Sequence, residues 1–451
     1  MTIALHMLRH CFEGAVPSAI ATCGADGMPN VAKLSHVHYL DDEHVALSYQ
    51  FFNRTRENIL HNGRAVVEVV DPVAAAHYNL KVAYVRTETS GPTFEYMKAR
   101  IAAIASDSGM SKVFRLLGAD IYRVLAVDVV PGYEPAPAQP RTGLLSGLRM
   151  TLAQLGACSD LERLLEVCLD GLERHWKIDY AMLLVPDPDG KRLFTVASRG
   201  YPQSGIGSEV RFGEGIVGVV AGERTPIRIG YALQEYRYSH ATRERFVADG
   251  DELETEIPFP GLAEAGSQLA VPFLLGDRLL GVLLVESEQE QRFTFEDEDA
   301  LMILASQMAL CMNHVSCNAE LVTEPVGIPS PVHQPTPSPD VPMHVRHFPA
   351  DHSVFVDNDY LIKGVAGAII WKLLREYVDS GRIDFTNREL RLDCALGLPD
   401  VTDNLDARLI LLQRRLSERC PSIAIEKTGR GRFRLHVSQP LRLEVGVKSR
   451  E

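Results

Sequence analysis

The sequence predicts a multi-domain α+β chain made of three separately folded bodies. Its 451 residues are more than a single hydrophobic core usually organises. Two proline-rich stretches, 131–145 and 319–342, divide the chain, and proline at this density cannot continue a helix or a central strand. We therefore predict semi-extended linkers at both places, and bodies at residues 1–130, 146–318 and 343–451.

The composition is that of an ordinary globular protein, with 46% hydrophobic and 23% charged residues. No uninterrupted apolar run approaches the roughly 18 residues that cross a bilayer. Residues 1–10 also lack the basic start and apolar stretch of a secretory signal. These features predict a cytoplasmic protein without a membrane partner. The net charge of −13 argues against a chain whose whole surface binds nucleic acid, but it allows one basic domain beside acidic ones.

The cysteines predict free thiols in a reducing compartment. All eight are irregularly spaced and none forms a Cys-x-x-Cys pair, which gives a structural zinc site little support. Buried thiols of this kind act as small apolar side chains. His6, His10 and Cys11 can approach one another on a helical turn and hold a metal or haem, but a terminal cluster is more often solvated. We therefore predict no metal site.

The sequence of the first body predicts a small barrel, because many short predicted strands alternate with turns. The predicted strands are Ser18–Thr22, Val31–Leu34, Val37–Leu40, Val45–Gln50, Ala65–Val70 and Ile121–Val129. After the fourth strand, residues 51–58 offer two arginines, a hydroxyl and amides at a strand end. Arginine forks and hydroxyls in such a place are suited to a phosphate monoester.

Three segments of this body carry a family resemblance: Pro29-Asn-Val-Ala-Lys33-Leu-Ser35, Leu47-Ser48-Tyr-Gln50 and Asn53-Arg54-Thr55-Arg56-Glu-Asn58. They resemble the pyridoxamine-phosphate-oxidase-like split-barrel family, whose members commonly bind FMN as dimers. The resemblance implies FMN as the cofactor, a homodimer, and flavin contacts from Lys33, Ser35, Ser48, Gln50, Arg54, Thr55 and Asn58. A complete substrate-binding set of the oxidase is not matched, so the alternative is a barrel that lost its cofactor and serves as a dimerisation or small-ligand module.

The sequence of the second body predicts a sheet enclosed by two helices. An amphipathic helix over 159–176 precedes strands, and a glycine-rich turn at 212–220 leads into a short helix. A hairpin around Gly276 and a closing helix over 299–314 follow. The insert 231–260 is predicted as a solvated loop, with a lid over a pocket as the alternative.

The second body resembles a GAF domain, a small-ligand sensory module, over about residues 155–315. The likeness rests on Gly213-Glu-Gly-Ile-Val-Gly218, Ala270-Val-Pro-Phe273 and Gly281-Val-Leu-Leu-Val-Glu286. No cysteine stands where a bilin-type chromophore attaches, and no cyclic-nucleotide signature is seen. The resemblance therefore implies a sensory fold with an unknown small-molecule ligand.

The sequence of the third body predicts three helices followed by a cationic hairpin. Val365–Tyr377 carries an apolar stripe, Thr386 and Glu389 fit a capping box, and a third helix begins near Thr402. Two alternating strands then flank Lys427-Thr-Gly-Arg-Gly-Arg432. Residues 414–434 hold seven lysines and arginines against two acids, a local balance of +5. A cationic helix beside a cationic hairpin suits a major groove and its phosphates.

This order resembles the winged-helix output domain of bacterial two-component response regulators, a winged helix-turn-helix fold. The resemblance implies a recognition helix at about 402–419 and a wing at 427–432, with contacts to double-stranded DNA from Asn404, Arg408, Arg414, Arg415, Lys427, Arg430 and Arg432. No phosphoacceptor receiver domain precedes it, and Asp403 and Asp406 would repel phosphates near the groove. The alternative is a small helical domain whose solvated basic face binds protein.

Together these features predict a cytoplasmic transcription regulator that senses a ligand or redox state through the barrel and the GAF-type body. Coupling of this kind requires the ligand to favour one arrangement of the bodies over another. A flavin-dependent oxidoreductase with regulatory domains is the second hypothesis, although no catalytic acid, base or nucleophile is recognisable in the sequence. A scaffolding adaptor without DNA binding is the third.

Overall fold

The computed structural model describes most of the chain. The described residues are 3–12, 18–34, 36–49, 54–72, 74–107, 116–132, 143–187, 190–230, 257, 259–262, 265–321, 342–357, 359–393, 396, 405–429 and 431–446. The second predicted linker and the insert 231–260 therefore lie mostly outside the described residues, as does the middle of the first linker.

The first body is a seven-stranded antiparallel sheet in the order β2-β1-β5-β6-β7-β4-β3. Consecutive strands β2 and β3 stand at opposite edges although only residues 35 and 36 separate them, so the sheet must curl until its edges meet. The strands are β1 (Ser18–Cys23), β2 (Pro29–Leu34), β3 (Val37–Tyr39), β4 (His44–Tyr49), β5 (Arg64–Val70), β6 (His77–Glu88) and β7 (Gly118–Val129).

The barrel core is filled from inside by alternating strand residues and closed by a short 3-10 helix, Leu5–Phe12. Leu5, Leu8 and Phe12 of that helix are buried against the sheet. Helices α1 (Arg54–Asn62) and α2 (Pro92–Asp107) complete the body. The six predicted strands are present. Strand β6 was not predicted from the sequence, because its polar and apolar residues alternate weakly towards its end.

The second body is a six-stranded antiparallel sheet in the order β10-β9-β8-β13-β12-β11. The strands are β8 (Tyr180–Pro186), β9 (Arg192–Arg199), β10 (Glu209–Arg211), β11 (Ile227–Ile229), β12 (Ser267–Leu275) and β13 (Arg278–Ser287). The helices are α3 (Leu144–Leu155), α4 (Leu161–Gly171, with a π-helical turn Leu172–Trp176), α5 (Gly215–Glu223) and α6 (Phe295–Leu321). The predicted helix–sheet–helix order is confirmed, and α3 is an addition to it.

Helix α6 packs its apolar side chains on the sheet of the second body. Leu301, Leu304, Met308 and Met312 are almost completely buried there. By length and hydropathy alone, Phe295–Cys317 is the one segment of the described residues that passes the test for a membrane span. Core helices have the same length and hydropathy, and Leu301, Leu304, Met308 and Met312 pack α6 in the core of the second body.

The third body has two small sheets around three helices. A four-stranded sheet, in the order β16-β15-β14-β20, precedes the helices and receives the last strand in parallel. A three-stranded sheet, β17-β19-β18, carries the hairpin. The elements are β14 (Met343–Phe348), β15 (Ser353–Val356), β16 (Asp359–Ile362), α7 (Gly364–Ser380), β17 (Asp384–Thr386), α8 (Asn387–Leu392), α9 (Leu405–Arg419), β18 (Ile423–Gly429), β19 (Arg432–Val437) and β20 (Leu441–Val445).

The predicted capping box at the start of α8 is confirmed. The Thr386 hydroxyl accepts a hydrogen bond from the backbone amide of Glu389, and the Glu389 carboxylate accepts one from the amide of Thr386. The four-stranded sheet, which precedes α7 and closes with β20, was not predicted from the sequence. Its strands are too short for a clear alternating pattern.

The GAF-type body lies between the other two. On one side, barrel helix α2 packs against α5, and Lys98 is 3.2 Å from the Glu223 carboxylate. On the other side, α9 packs against β9 and α4. The hydrophobic core of the second body therefore continues into that of the third.

Candidate functional site

Helix α9, predicted as the DNA-recognition helix, is partly covered by the GAF-type body. Arg408 is only 6% exposed. Its guanidinium pairs with Asp187, in the turn after β8, and stacks 4.3 Å from the ring centroid of Phe194 on β9. Because Arg408 is enclosed on both sides, a duplex cannot reach it in this arrangement.

Arg414 and Arg415 of α9 are also engaged. Arg414 donates from Nη1 to the carbonyl of Val196 at 2.9 Å, and burial lowers the pKa of its guanidinium. Arg415 is 5% exposed and donates from Nε to the carbonyl of Leu361, inside the third body. Burial lowers the pKa of Arg415 as well. Asn404 lies outside the described residues.

The hairpin predicted as a wing remains more open. Lys427 on β18 and Arg432 on β19 are exposed, and the Lys427 ammonium is 4.0 Å from Asp160 at the start of α4. Arg434 on β19 pairs with Asp384 on β17 at 2.8 Å, so this ion pair links the two strands. Arg430, the tip residue between the two strands, lies outside the described residues. The hairpin thus keeps exposed cations, while Arg408, Arg414 and Arg415 of the helix behind it are engaged.

Asp406, which the sequence analysis placed near a groove-facing end, has a local partner. Its carboxylate accepts a hydrogen bond from the Asn387 side-chain amide at 2.8 Å. Asn387 is the first residue of α8, so this bond ties the start of α9 to α8.

The predicted flavin contacts divide into two groups in the barrel. Thr55 and Asn58 are buried on α1, where Asn30 donates to the Thr55 hydroxyl at 2.8 Å and Asn58 donates to Thr22 at 3.0 Å. The Ser48 hydroxyl accepts from the backbone amide of His36 at 3.0 Å. These three residues hold the barrel together locally. Ser35 and Gln50 lie outside the described residues.

The two cations of the predicted flavin site are exposed and do not share a face. Arg54 begins α1 and lies 3.7 Å from Asp26. Lys33 is exposed on β2, three positions after Asn30, and alternate strand residues point to opposite faces. Lys33 therefore points away from the face that carries Asn30 and α1. The described residues fit an anion at the start of α1, but they do not form one closed cradle for a flavin phosphate within a single chain.

A buried carboxylate in the GAF-type body escaped the sequence analysis. Glu286, at the end of β13, is 2% exposed and accepts hydrogen bonds from Tyr201 at 2.7 Å, from Gln268 at 2.7 Å and from the amide of Leu262 at 3.3 Å. Burial and this carboxylate raise the pKa of Tyr201. The sequence feature that could have revealed this carboxylate is the acidic residue at the end of the apolar run Gly281–Glu286.

The joint between barrel and GAF-type body is rich in positive charge. The ring of Phe295 lies 4.2 Å from the Arg9 guanidinium and 4.0 Å from that of Arg228. Arg228 also donates from Nε to Glu298 at 2.9 Å. Burial and the nearby arginines lower the pKa of His38 to about 4, and they lower that of His36 too. Both histidines are therefore neutral near pH 7.

Comparison with known protein families assigns the first two bodies. Residues 6–128 match the family model of pyridoxamine 5'-phosphate oxidase, and residues 158–313 match that of the GAF domain. The comparison with curated proteins gave no match. The first match covers the curled sheet and its helices α1 and α2, and the second covers the sheet that α4 and α6 enclose.

Several solved structures resemble parts of the chain at low identity. The GAF domain of an Acinetobacter phosphoenolpyruvate-protein phosphotransferase is 22% identical, with 40% of this chain and 97% of that chain covered and a TM-score of 0.32. Free methionine-R-sulfoxide reductase from Neisseria meningitidis is 16% identical, with 41% and 98% covered and a TM-score of 0.31.

For the barrel, an FMN-binding protein from Syntrophomonas wolfei is 15% identical, with 30% of this chain and 89% of that chain covered and a TM-score of 0.24. The chain carries a pyridoxamine 5'-phosphate oxidase-like domain at residues 6–128, followed by a GAF domain at residues 158–313.

Proposed function

We propose that the chain is a cytoplasmic, ligand- or redox-responsive DNA-binding regulator whose GAF domain restrains its DNA-binding domain. The sensory inputs are the oxidase-like barrel and the GAF domain, and the output is the third body. In the proposal, a small-molecule ligand changes how the GAF domain holds α9. Double-stranded DNA then binds α9 and the β18–β19 hairpin.

The order of elements in the third body supports the output role. Three helices, α7 to α9, are followed directly by the hairpin of β18 and β19, an order typical of winged-helix domains. The hairpin presents Lys427 and Arg432 to solvent, and phosphate contacts of this kind supply most sequence-independent affinity for DNA. The acidic charge of the whole chain does not oppose this, because the field at the hairpin is local.

The burial of Arg408 is the observation that carries the regulatory part of the proposal. An arginine that is to contact DNA is instead held by Asp187 and Phe194 of the GAF domain. A regulator needs two arrangements with different affinities for DNA, and a ligand shifts them only if it binds one arrangement more tightly. The arrangement described here is the one with low affinity for DNA.

The barrel supplies the second proposed input. The family match to pyridoxamine 5'-phosphate oxidase supports flavin binding, and Arg54 at the start of α1, exposed and 3.7 Å from Asp26, offers a guanidinium for its phosphate. We propose FMN as the cofactor and a homodimer as the assembly. The exposed apolar side chains Met28, Val31 and Leu60, on or near β2 and α1, support a second chain at this end of the barrel.

The test uses the full chain and a pool of genomic DNA fragments, with and without reductant. Asp187→Asn removes the charge that holds Arg408, so we expect it to raise DNA affinity about tenfold or more, with binding that weakens steeply as salt increases. Asp128→Asn is the matched control, because Asp128 is an exposed barrel residue paired only locally with Lys81 at 2.8 Å. If neither the parent chain nor the Asp187 variant binds any duplex in dilute buffer, the proposal is wrong.

A further inference from the structure

We infer that His10, Cys11 and Asp71 form a site for one divalent cation of the zinc class, with water as the fourth ligand. One donor atom from each residue lies within 4.8 Å of the other two. The site stands on the oxidase-like barrel, where the 3-10 helix Leu5–Phe12 meets the turn between β5 and β6. It does not depend on the proposed DNA-binding role.

Two of the three distances are close to those between ligands of tetrahedral zinc, and the sulfur–oxygen pair lies within 4.8 Å. The His10 Nε2 atom lies 3.6 Å from the Cys11 sulfur and 3.0 Å from Asp71 Oδ2. Usual zinc bond lengths place tetrahedral ligands about 3.5 Å apart for sulfur and nitrogen, and about 3.3 Å apart for nitrogen and oxygen. A cation between the three atoms therefore requires only small shifts.

The three donor types can share one cation. Neutral imidazole nitrogen, thiolate and carboxylate each carry a lone pair, and all three are common zinc ligands.

The three side chains are held in place by the fold. The backbone amide of Asp71 donates to the carbonyl of Ala76, and the amide of Ala74 donates to Asp71 Oδ1 at 3.0 Å. Asp71 Oδ2 is thereby left facing His10, in the way that hydrogen bonds orient a metal-binding carboxylate. Cys11 is fixed because its neighbours Leu8 and Phe12 are buried in the barrel core.

Charge and access also fit a zinc-class ion with one open position. A thiolate and a carboxylate at nearly buried positions, Cys11 at 3% exposure and Asp71 at 1%, balance the two charges of the cation. The mixture of sulfur, nitrogen and oxygen donors favours zinc over calcium or magnesium. His10 is 43% exposed at its side chain and leaves one side for water and for entry of the ion. His6, the third residue of the sequence-predicted cluster, pairs with Asp42 instead.

The experiment titrates Co²⁺, as a spectroscopic substitute for zinc, into tag-free full chain that has been treated with chelator and kept reduced. We expect one ion per chain, the visible bands of tetrahedral cobalt and a thiolate-to-cobalt charge-transfer band. Cys11→Ser should abolish the charge-transfer band. Asp71→Asn keeps an oxygen to accept from Ala74 but removes the charge, and it should weaken binding roughly tenfold or more.

Cys23→Ser is the matched control, because Cys23 is an exposed cysteine at the end of β1, and it should leave the cobalt spectrum unchanged. His10→Ala guards against misfolding of the buried variants, since the half-exposed His10 side chain contributes little to the core, and it too should lose the tetrahedral spectrum. The absence of tetrahedral cobalt in the parent chain overturns the inference. A charge-transfer band that persists in folded Cys11→Ser overturns it as well.

Discussion

Arg408 and Asp187 form an ion pair between residues 221 positions apart, and it joins the last body of the chain to the GAF domain. Arg408 is the buried member of the pair, because its side chain is 7% exposed whereas that of Asp187 is 33% exposed. A buried charge that loses its partner is strongly destabilising. Release of α9 therefore requires new partners for Arg408, and the phosphates of a duplex are the partners that the proposed function supplies.

The hairpin variant Arg430→Ala with Arg432→Ala tests the wing. We expect it to lower affinity for all DNA sequences alike while the fold is kept, because phosphate contacts carry no sequence information. The slope of log affinity against log salt should fall by about two, one for each lost contact. Fluorescence anisotropy across a salt series measures both quantities, with the DNA-competent Asp187→Asn chain as the background.

Arg442→Ala is the matched control for the wing. Arg442 is exposed in the same body but stands on β20, in the other sheet. Its loss should leave the salt slope unchanged. Equal loss of binding in the control and in the hairpin variant would show that net charge alone is responsible, and unchanged binding in the hairpin variant would discard the wing.

Local signals in the sequence predicted local structure well. Thr386 and Glu389 predicted the start of α8. The spacing of Leu405, Leu409, Leu412 and Leu416 predicted a core-facing stripe, of which Leu409 is partly buried and the other three are fully buried. What the sequence could not disclose is which long-range partner a charged residue finds. Arg408 carries the pattern of an exposed cation, and only the packing of α9 on β9 buries it.

The same limit applies to the barrel. Lys33 and Arg54 were grouped because a family motif joins them, but the alternation along β2 separates them onto different faces. His10 and Cys11 were visible as neighbours in the sequence. Asp71, the residue that makes them a candidate metal site, lies far along the chain and carries no motif.

The lowered pKa of His38 leads us to expect a loss of folding stability in mild acid. Burial, with the charges of Arg100 and Arg9, lowers the pKa of His38 to about 4. The unfolded chain binds this proton near pH 6.5 and the folded chain does not, so stability is present above pH 6.5 and falls as the pH drops towards 4. At pH 5 this group alone accounts for about 2 kcal/mol.

The measurement is denaturant unfolding of the parent chain and of His38→Gln at pH 7 and pH 5, followed by circular dichroism. Glutamine does not titrate, so the variant should lose about 2 kcal/mol less than the parent between the two pH values. His36 faces the same arginines, and burial lowers its pKa too, so part of the acid sensitivity should remain in the variant. An identical loss in both chains would contradict the assignment to His38.

Arg54 gives the prediction for flavin. If its guanidinium binds the FMN phosphate, Arg54→Ala should weaken FMN binding roughly tenfold, the usual cost of losing a hydrogen bond to a charged group. Equilibrium dialysis with the flavin absorbance as readout measures this affinity. Arg64→Ala is the control, because Arg64 is also exposed but begins β5 after α1 has ended. Equal affinities in the two variants would remove Arg54 from the flavin site.

Two glycines of α5 should respond in opposite ways to the same substitution. A Cβ atom on Gly218 would lie 2.2 Å from the carbonyl oxygen of Arg211, backbone that cannot move aside without disrupting the turn. We expect Gly218→Ala to destabilise the GAF domain by about 3 kcal/mol. A Cβ atom on Gly222 would meet nothing nearer than 4.0 Å.

Gly222→Ala should therefore stabilise the domain by roughly 0.5–1 kcal/mol, because alanine loses less backbone entropy than glycine in a helix. Both effects can be read from the fluorescence of buried Trp176 during denaturant unfolding, in a Trp371→Phe background that leaves a single tryptophan. The two variants differ only in position within one helix, so a general intolerance of α5 to larger residues would destabilise both. Opposite changes in the free energy of unfolding are expected only if the Arg211 carbonyl closely approaches Gly218. That approach also explains why a glycine ends the Gly213–Gly218 motif.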